Sequence, residues 1–159
     1  MTRIPELTLA DARDAAAIAS MSRRFIEAGL EPSWTPERVQ RTMRQEDCVA
    51  LAARLQRELA GFAIMQFGDQ TAHLSLLAVA AGFRRQGIGR MMIAWLEESA
   101  RTAGTFVIRL ECRIGNQTAV RFYRSLGYHE AGVVPRYYQG VEDALRMERD
   151  LRPSTATLP

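Results

Sequence analysis

The segment Arg84-Arg85-Gln86-Gly87-Ile88-Gly89-Arg90 sets two glycines among three arginines. It stands between a strand-like stretch and a helix-like one. Glycines let a backbone approach a ligand closely and turn successive N–H groups toward one point. The start of a helix adds partial positive charge, and arginines add full charges. The chemistry this suits is the cradling of a pyrophosphate. A bare helix start with a solvated arginine cluster would carry the same letters. A dinucleotide-binding fingerprint would not, because it needs G-x-G-x-x-G after the first strand and an acidic residue about 20 residues on. Here the pattern is G-x-G alone, in mid-chain.

Two further residues have types that move protons. In Phe106-Val107-Ile108-Arg109-Leu110-Glu111, alternation puts Phe106, Ile108 and Leu110 on one face and Arg109 with Glu111 on the other. A carboxylate at a strand end can take a proton from an amine through water. By position alone Glu111 is equally a solvated strand charge or a partner for Arg109. Tyr123 lies seven residues after Asn116, two helical turns, so both share a face. A phenol of pKa about 10 can donate to a developing anion. Taken alone, Tyr123 is also an ordinary core tyrosine on an amphipathic helix.

The elements that must position these groups are legible in outline. Asp11 caps a helix expected over 12–28, which Gly29 ends, and Thr35-Pro36 opens a short helix over 36–45. Three strands follow over 48–55, 58–67 and 71–79, joined by short breaks suited to antiparallel hairpins. Beyond the glycine loop a helix runs over 88–103, with Met91, Met92, Trp95 and Leu96 on its inner side and Gly104 closing it. A strand through 106–110, a helix over 116–126 stopped by Gly127, and strands over 128–137 and 141–149 complete the map. The order β-α-α-β-β-β-α-β-α-β-β is a mixed α/β layer with a parallel pair around the 84–110 unit. A single domain is expected over 1–151, with a disordered tail over 152–159.

Composition excludes several chemistries. Among the 159 residues are 21 basic side chains, and every one is arginine. Without lysine there can be no Walker-type phosphate loop, no pyridoxal Schiff base and no protein kinase. A net charge of +3 favours an anionic partner without naming one. Cys48, Cys112, His73 and His129 are scattered outside any zinc-binding pattern, so no metal is expected. Met1 to Ala10 lacks the pattern of a secretory signal and no apolar run approaches a membrane span, so a cytoplasmic, reduced protein is expected. His73 and His129 show no partner and read as packing or surface, and Trp95 reads as core. Arg38, Arg41 and Arg44 line one side of a helix. That is ordinarily a solvated face, although it could receive an acidic peptide or ribosomal RNA.

Leu77-Ala78-Val79 followed by Arg84-Arg85-Gln86-Gly87-Ile88-Gly89 resembles the R/Q-x-x-G-x-G/A motif of the GNAT superfamily of N-acetyltransferases. The segment from Asn116 through Ala119 and Tyr123 to Gly127-Tyr128 is similar to that family's N-x-x-A-x-x-x-Y-x-x-x-G-F/Y stretch. Leu110-Glu111-Cys112-Arg113, Pro32-Ser33-Trp34-Thr35, Arg136-Tyr137-Tyr138 and Glu142-Asp143-Ala144 with Met147 resemble segments of its ribosomal-protein-alanine N-acetyltransferase group. The resemblance implies a mixed sheet of about seven strands, with a β-bulge and a splayed parallel pair, flanked by about four helices. It implies acetyl-CoA as co-substrate, held by Leu77, Ala78 and Val79 along its arm, by Arg84, Arg85, Gln86, Gly87, Ile88, Gly89 and Arg90 at its pyrophosphate, and by Asn116. Glu111 would be the base through water, and Tyr123 the acid that protonates the departing thiolate. Trp34, Leu76, Tyr137 and Tyr138 would face the acceptor.

That acceptor is expected to be a protein N-terminal α-amino group, such as that of a ribosomal protein. A small amine (antibiotic, polyamine or metabolite) is the alternative. A non-catalytic acyl-CoA-binding or nucleic-acid-binding module ranks below both, and neither a membrane nor direct nucleic-acid binding is expected. Direct transfer is expected rather than an acetyl-cysteine route, because Cys112 faces away from Glu111. Two departures bear on the acceptor. Leu76 stands where the group carries asparagine, which makes the pocket more apolar. The 139–141 loop is short, which predicts a more open groove.

Overall fold

A computed structural model describes residues 4–153. Seven strands form one sheet in the order β1-β2-β3-β4-β5-β7-β6. They are β1 (Glu6–Leu9), β2 (Cys48–Leu55), β3 (Glu58–Phe67), β4 (Thr71–Val79), β5 (Val107–Arg113), β6 (His129–Tyr138) and β7 (Glu142–Asp150). Four α-helices cover it: α1 (Ala15–Phe25), α2 (Pro36–Met43), α3 (Ile88–Ala103) and α4 (Gln117–Ser125). Every pairing is antiparallel except that of β4 with β5. The sheet separates two cores. On one side Met92, Leu96 and Ala100 of α3 and Val120 of α4 bury against Leu51, Met65, Leu74 and Leu110. On the other, Ile18 of α1 and Val39 of α2 bury against Phe62, Ile64 and Leu76.

Two irregularities make the central opening. The parallel pairing runs only from Thr71 opposite Val107 to Leu74 opposite Leu110, after which the strands part. At the same level Ser75 is an extra residue in β4, because Met65 pairs with Leu74 and Ile64 with Leu76. An inserted residue reverses which face every later side chain meets. Ala72 and Leu74 accordingly lie in the α3/α4 core, whereas Leu76 and Ala78 lie in the α1/α2 core.

Several expectations change. Asp11 does cap, but it caps a 3₁₀ turn over Ala12–Asp14 in a reciprocal box with Asp14. The helix then runs only over Ala15–Phe25 and does not reach Gly29. It stops early because Ser22 and Glu27 turn inward and bond at 3.1 Å. Trp95 is 38% exposed, and Met91 is half-buried. The apolar stripe of α3 runs instead through Ile88, Met92, Ile93, Leu96 and Ala100. The last two strands sit one residue later than expected. Of the expected tail, residues 154–159 lie outside the described residues, and Arg152 pairs with Asp150 at 2.5 Å. Among the described residues no helix is long and apolar enough to cross a membrane.

Candidate active site

The opening between β4 and β5 is a cleft of about 330 Å³, lined among others by Leu76, Leu77, Glu111, Asn116, Tyr123 and Tyr137. Glu111 reaches it because alternation along β5 sends Ile108 and Leu110 into the α3/α4 core and the glutamate the other way. Its side chain is 7% exposed. One carboxylate oxygen lies 2.7 Å from His73 Nε2 and the other accepts from Arg146 Nη2 at 3.4 Å. Burial by itself would raise the Glu111 pKa. The hydrogen bond and charge of His73, with those of Arg146, outweigh it and hold the carboxyl below its ordinary value. Glu111 is therefore ionised at neutral pH. Arg109 is not its partner, since that side chain pairs with Glu148 at 3.2 Å.

Tyr123 faces the same cleft from α4. Its ring packs edge-on against Phe122 and Tyr128, with centroids 5.1 and 5.8 Å away. Burial, then the neighbouring Cys112 and Tyr138, push the phenol well above its ordinary range, and no hydrogen bond contributes. It stays protonated and free to donate. Asn116 caps α4 by accepting from Ala119 N at 3.1 Å, which leaves its amide N–H₂ available at the cleft. Cys112 borders the same cleft from the α3/α4 side, its Sγ donating to the Leu145 carbonyl at 3.8 Å, and its pKa is pushed up to about 11 by burial and by the charge of Glu111. A thiol held neutral is a poor nucleophile. Its neutral state, rather than its placement, disfavours an acetyl-cysteine route.

The glycine loop sits where β4 ends and α3 begins. Gly87 is the N-cap of α3 at φ +79°, and Arg85 also has positive φ. The first-turn N–H groups of a helix lack acceptors within it. Here they adjoin Arg84, Arg85 and Arg90. A Cβ on Gly89 would stand 3.0 Å from the Phe122 ring, so any larger residue would have to push that ring of α4 aside by a few tenths of an ångström. Ile88 is 1% exposed in the core, and Ala78 is buried, so each can offer a ligand only its backbone. Arg84 donates from Nε to the Val79 carbonyl at 3.2 Å and lies over the Phe25 ring. These parts fit a pyrophosphate and its linked arm. Leu77 and Asn116 line the cleft itself, while the 84–90 loop lies outside its lining.

The other wall carries Trp34, Tyr137 and Tyr138. Buried Glu27 shapes it, accepting from Ser33 N at 2.6 Å, Ser33 Oγ at 2.8 Å and Trp34 N at 3.2 Å. The two tyrosine rings meet edge-on at 5.0 Å. Across the rim, Gln139 bonds both backbone groups of Glu31, accepting from its N–H at 2.9 Å and donating to its carbonyl. The short 139–141 loop is therefore tied to the segment that carries Trp34, contrary to the open groove expected of it. Leu76 is 4% exposed and lines the cleft as an apolar surface.

Three residues escaped the sequence reading. His73 was expected to lack a partner, yet it meets Glu111. Arg146 meets Glu111 from β7, and its Nε is buried without a hydrogen-bond partner among the described residues. Glu27 organises the loop that carries Trp34. The hydrogen bond between His73 and Glu111 spans 38 positions, and that between Arg146 and Glu111 spans 35. No local spacing announces either. His129 is exposed, as expected.

Comparison with known proteins agrees with this geometry. A [ribosomal protein bS18]-alanine N-acetyltransferase of Salmonella typhimurium is 40% identical over 92 residues. That match spans 56% of this chain and 62% of the relative, so it covers about three fifths of the relative's length. The crystal structure of the ribosomal-protein-S18-alanine N-acetyltransferase from Escherichia coli superposes with a TM-score of 0.81 at 26% identity, over 98% of this chain and 99% of that one. An aminoglycoside 6'-N-acetyltransferase complexed with coenzyme A shares the fold, with a TM-score of 0.75 at 21% identity over 93% and 98% of the two chains. Residues 15–128 match the Acetyltransferase (GNAT) family. With that match spanning both the glycine loop and the Glu111–Tyr123 cleft, the chain belongs to the GNAT acetyltransferase family.

Proposed function

We propose that this protein transfers acetyl from acetyl-CoA to a protein N-terminal α-amino group, directly and without a covalent enzyme intermediate. One observation carries the reading: an ionised carboxylate, Glu111, and a protonated phenol, Tyr123, face one cleft at the point where the parallel strands part. When bound, acetyl-CoA supplies an activated acetyl thioester. Backbone N–H groups at 87–90, with Arg84, Arg85 and Arg90, would hold the pyrophosphate. Leu77, Ala78 and Val79 would lie along the arm, with the Asn116 amide beside it. Glu111 takes the amine proton through water and returns it to solvent, while His73 and Arg146 hold its carboxylate in place. Tyr123 gives its proton to the departing sulfur. A ribosomal protein is the partner that the two bS18 and S18 relatives suggest.

The acceptor chemistry agrees with this machinery. An α-amino group has a pKa of about 7.7–8.0, so a useful neutral fraction exists at pH 7, whereas a lysine at about 10.4 needs stronger assistance. A small amine is the second reading, favoured by the Gln139–Glu31 bridge across the rim. The test follows thiol release from acetyl-CoA with alanine-initiated peptides and with aminoglycoside and polyamine amines. Peptide turnover exceeding small-amine turnover is the expected result. The reverse order would overturn the peptide assignment in favour of the small amine.

A further inference from the structure

Beside the cleft is a second cavity of about 420 Å³, lined by Trp34, Arg38, Arg41, Gln45, His73 and Tyr137 among others. Trp34, Arg38, His73, Ser75 and Tyr137 line both spaces, so the two communicate. His73, which bonds Glu111 at 2.7 Å, lines both spaces, so this cavity lies next to the place of an amine at Glu111. Among the described residues no carboxylate lines the cavity. The cleft's own carboxylates are engaged, Glu27 by Ser33 and Trp34 and Glu111 by His73 and Arg146.

The cations are not engaged in that way. Arg38 is prepositioned, its guanidinium 3.9 Å over the Trp34 ring and its Nη1 donating to the Ser33 carbonyl at 3.3 Å. Its other N–H groups have no carboxylate partner among the described residues. Arg41, one turn along the same helix, lines the cavity and makes no ion pair among them. Two like charges at i, i+3 repel mildly unless an anion lies between them. The guanidinium fork matches a carboxylate in geometry as well as charge.

We propose that the acceptor carries a carboxylate close behind its reacting amine, and that Arg38 and Arg41 receive it. Resting on the N-terminal acetylation reading, this makes the preferred substrate an acidic N-terminal peptide, with aspartate or glutamate within its first three residues. Arg38 is the fixed member of the pair, and Arg41, more exposed, closes on the anion from the solvent side.

The experiment measures kcat/KM for matched alanine-initiated peptides bearing Glu, Gln or Lys at positions two and three, and for glutamate against glutamine as free amines. The expected order is Glu, then Gln, then Lys, with roughly tenfold or more between Glu and Gln at low salt. Raising salt narrows the gap. Arg41→Glu, a surface change that leaves the core intact, inverts the order so that the Lys peptide leads. Equal kcat/KM across the peptide charges, or an order unmoved by Arg41→Glu, overturns the proposal. Turnover on free glutamate above glutamine, with none on peptides, overturns the peptide reading while keeping the carboxylate site. Thiol release in no arm overturns both.

Discussion

Two buried glutamates in this protein are built from the same parts and end in different places. Glu97 of α3 accepts from Tyr128 Oη at 3.0 Å and from Arg149 at 2.8 Å. Glu111 of β5 meets His73 at 2.7 Å and Arg146 at 3.4 Å, with Tyr123 in the same cleft. Both side chains are less than a tenth exposed, and both take an arginine from β7. Glu97, however, lines neither cavity, and its tyrosine is spent on it. The Tyr123 phenol makes no hydrogen bond among the described residues, and Glu111 adjoins a histidine that is 36% exposed. A buried carboxylate, an arginine and a tyrosine therefore do not make a catalytic centre. What sets the Glu111 group apart is the open cleft beside it and the partly exposed histidine bonded to it.

Exchanging corresponding members of the two sites tests that contrast. Tyr123→Phe should lower kcat roughly 10²-fold or more, the scale of a lost general acid, and leave the melting temperature nearly unchanged. Unaltered kcat would remove Tyr123 from the scheme. Glu111→Gln should lower kcat roughly 10²-fold at neutral pH. A rate–pH profile superimposable on wild type would show that the amine arrives already neutral. Glu97→Ala should act on the other axis, costing about 3 kcal/mol in denaturant unfolding because it strands Arg149, while the folded fraction keeps its kcat. Tyr128→Phe should cost about 1–2 kcal/mol with kcat again unmoved, and a kcat loss like that of Tyr123→Phe would erase the distinction.

The smallest expected effect is a pH dependence. The Glu111 pKa is depressed in the folded state, so its contribution is fully present above the ordinary carboxylate range and is lost as pH falls through the folded value. Wild type should therefore lose more unfolding free energy on acidification below about pH 4 than Glu111→Gln does. Parallel acid limbs for the two proteins would contradict the pairing with His73 and Arg146.

Much of the scaffold was legible because local rules decide it. The strands over Cys48–Leu55, Glu58–Phe67 and Thr71–Val79 and the helix Ile88–Ala103 lie where pattern and glycine punctuation put them. Cleft residues Glu111, Tyr123, Asn116, Trp34, Tyr137 and Tyr138 were also named from their motifs. The failures share one cause, a distant partner overriding a local pattern. The first helix stops at Phe25 because Glu27 turns in to organise Ser33 and Trp34. Trp95 has helical spacing with Met91 and Met92, yet Ile93 and Ala100 take the buried side of α3. His73 looked unpartnered because its partner lies across the parallel pair.

By itself, the sequence determined which chemistries were open. With arginine as its only strong cation, it excluded lysine-dependent phosphate loops and Schiff bases. It also leaves no internal lysine that the enzyme could acetylate on itself. Composition and glycine spacing settle such matters because they depend on which functional groups exist and on φ values that only some residues tolerate. The tertiary structure decided which groups meet. Ser75 bulges out of β4, β4 and β5 part after Leu74 and Leu110, and His73, Arg146 and Glu111 converge at that gap. No spacing in the chain encodes that convergence, because it depends on a strand register set jointly by two cores on opposite faces of one sheet.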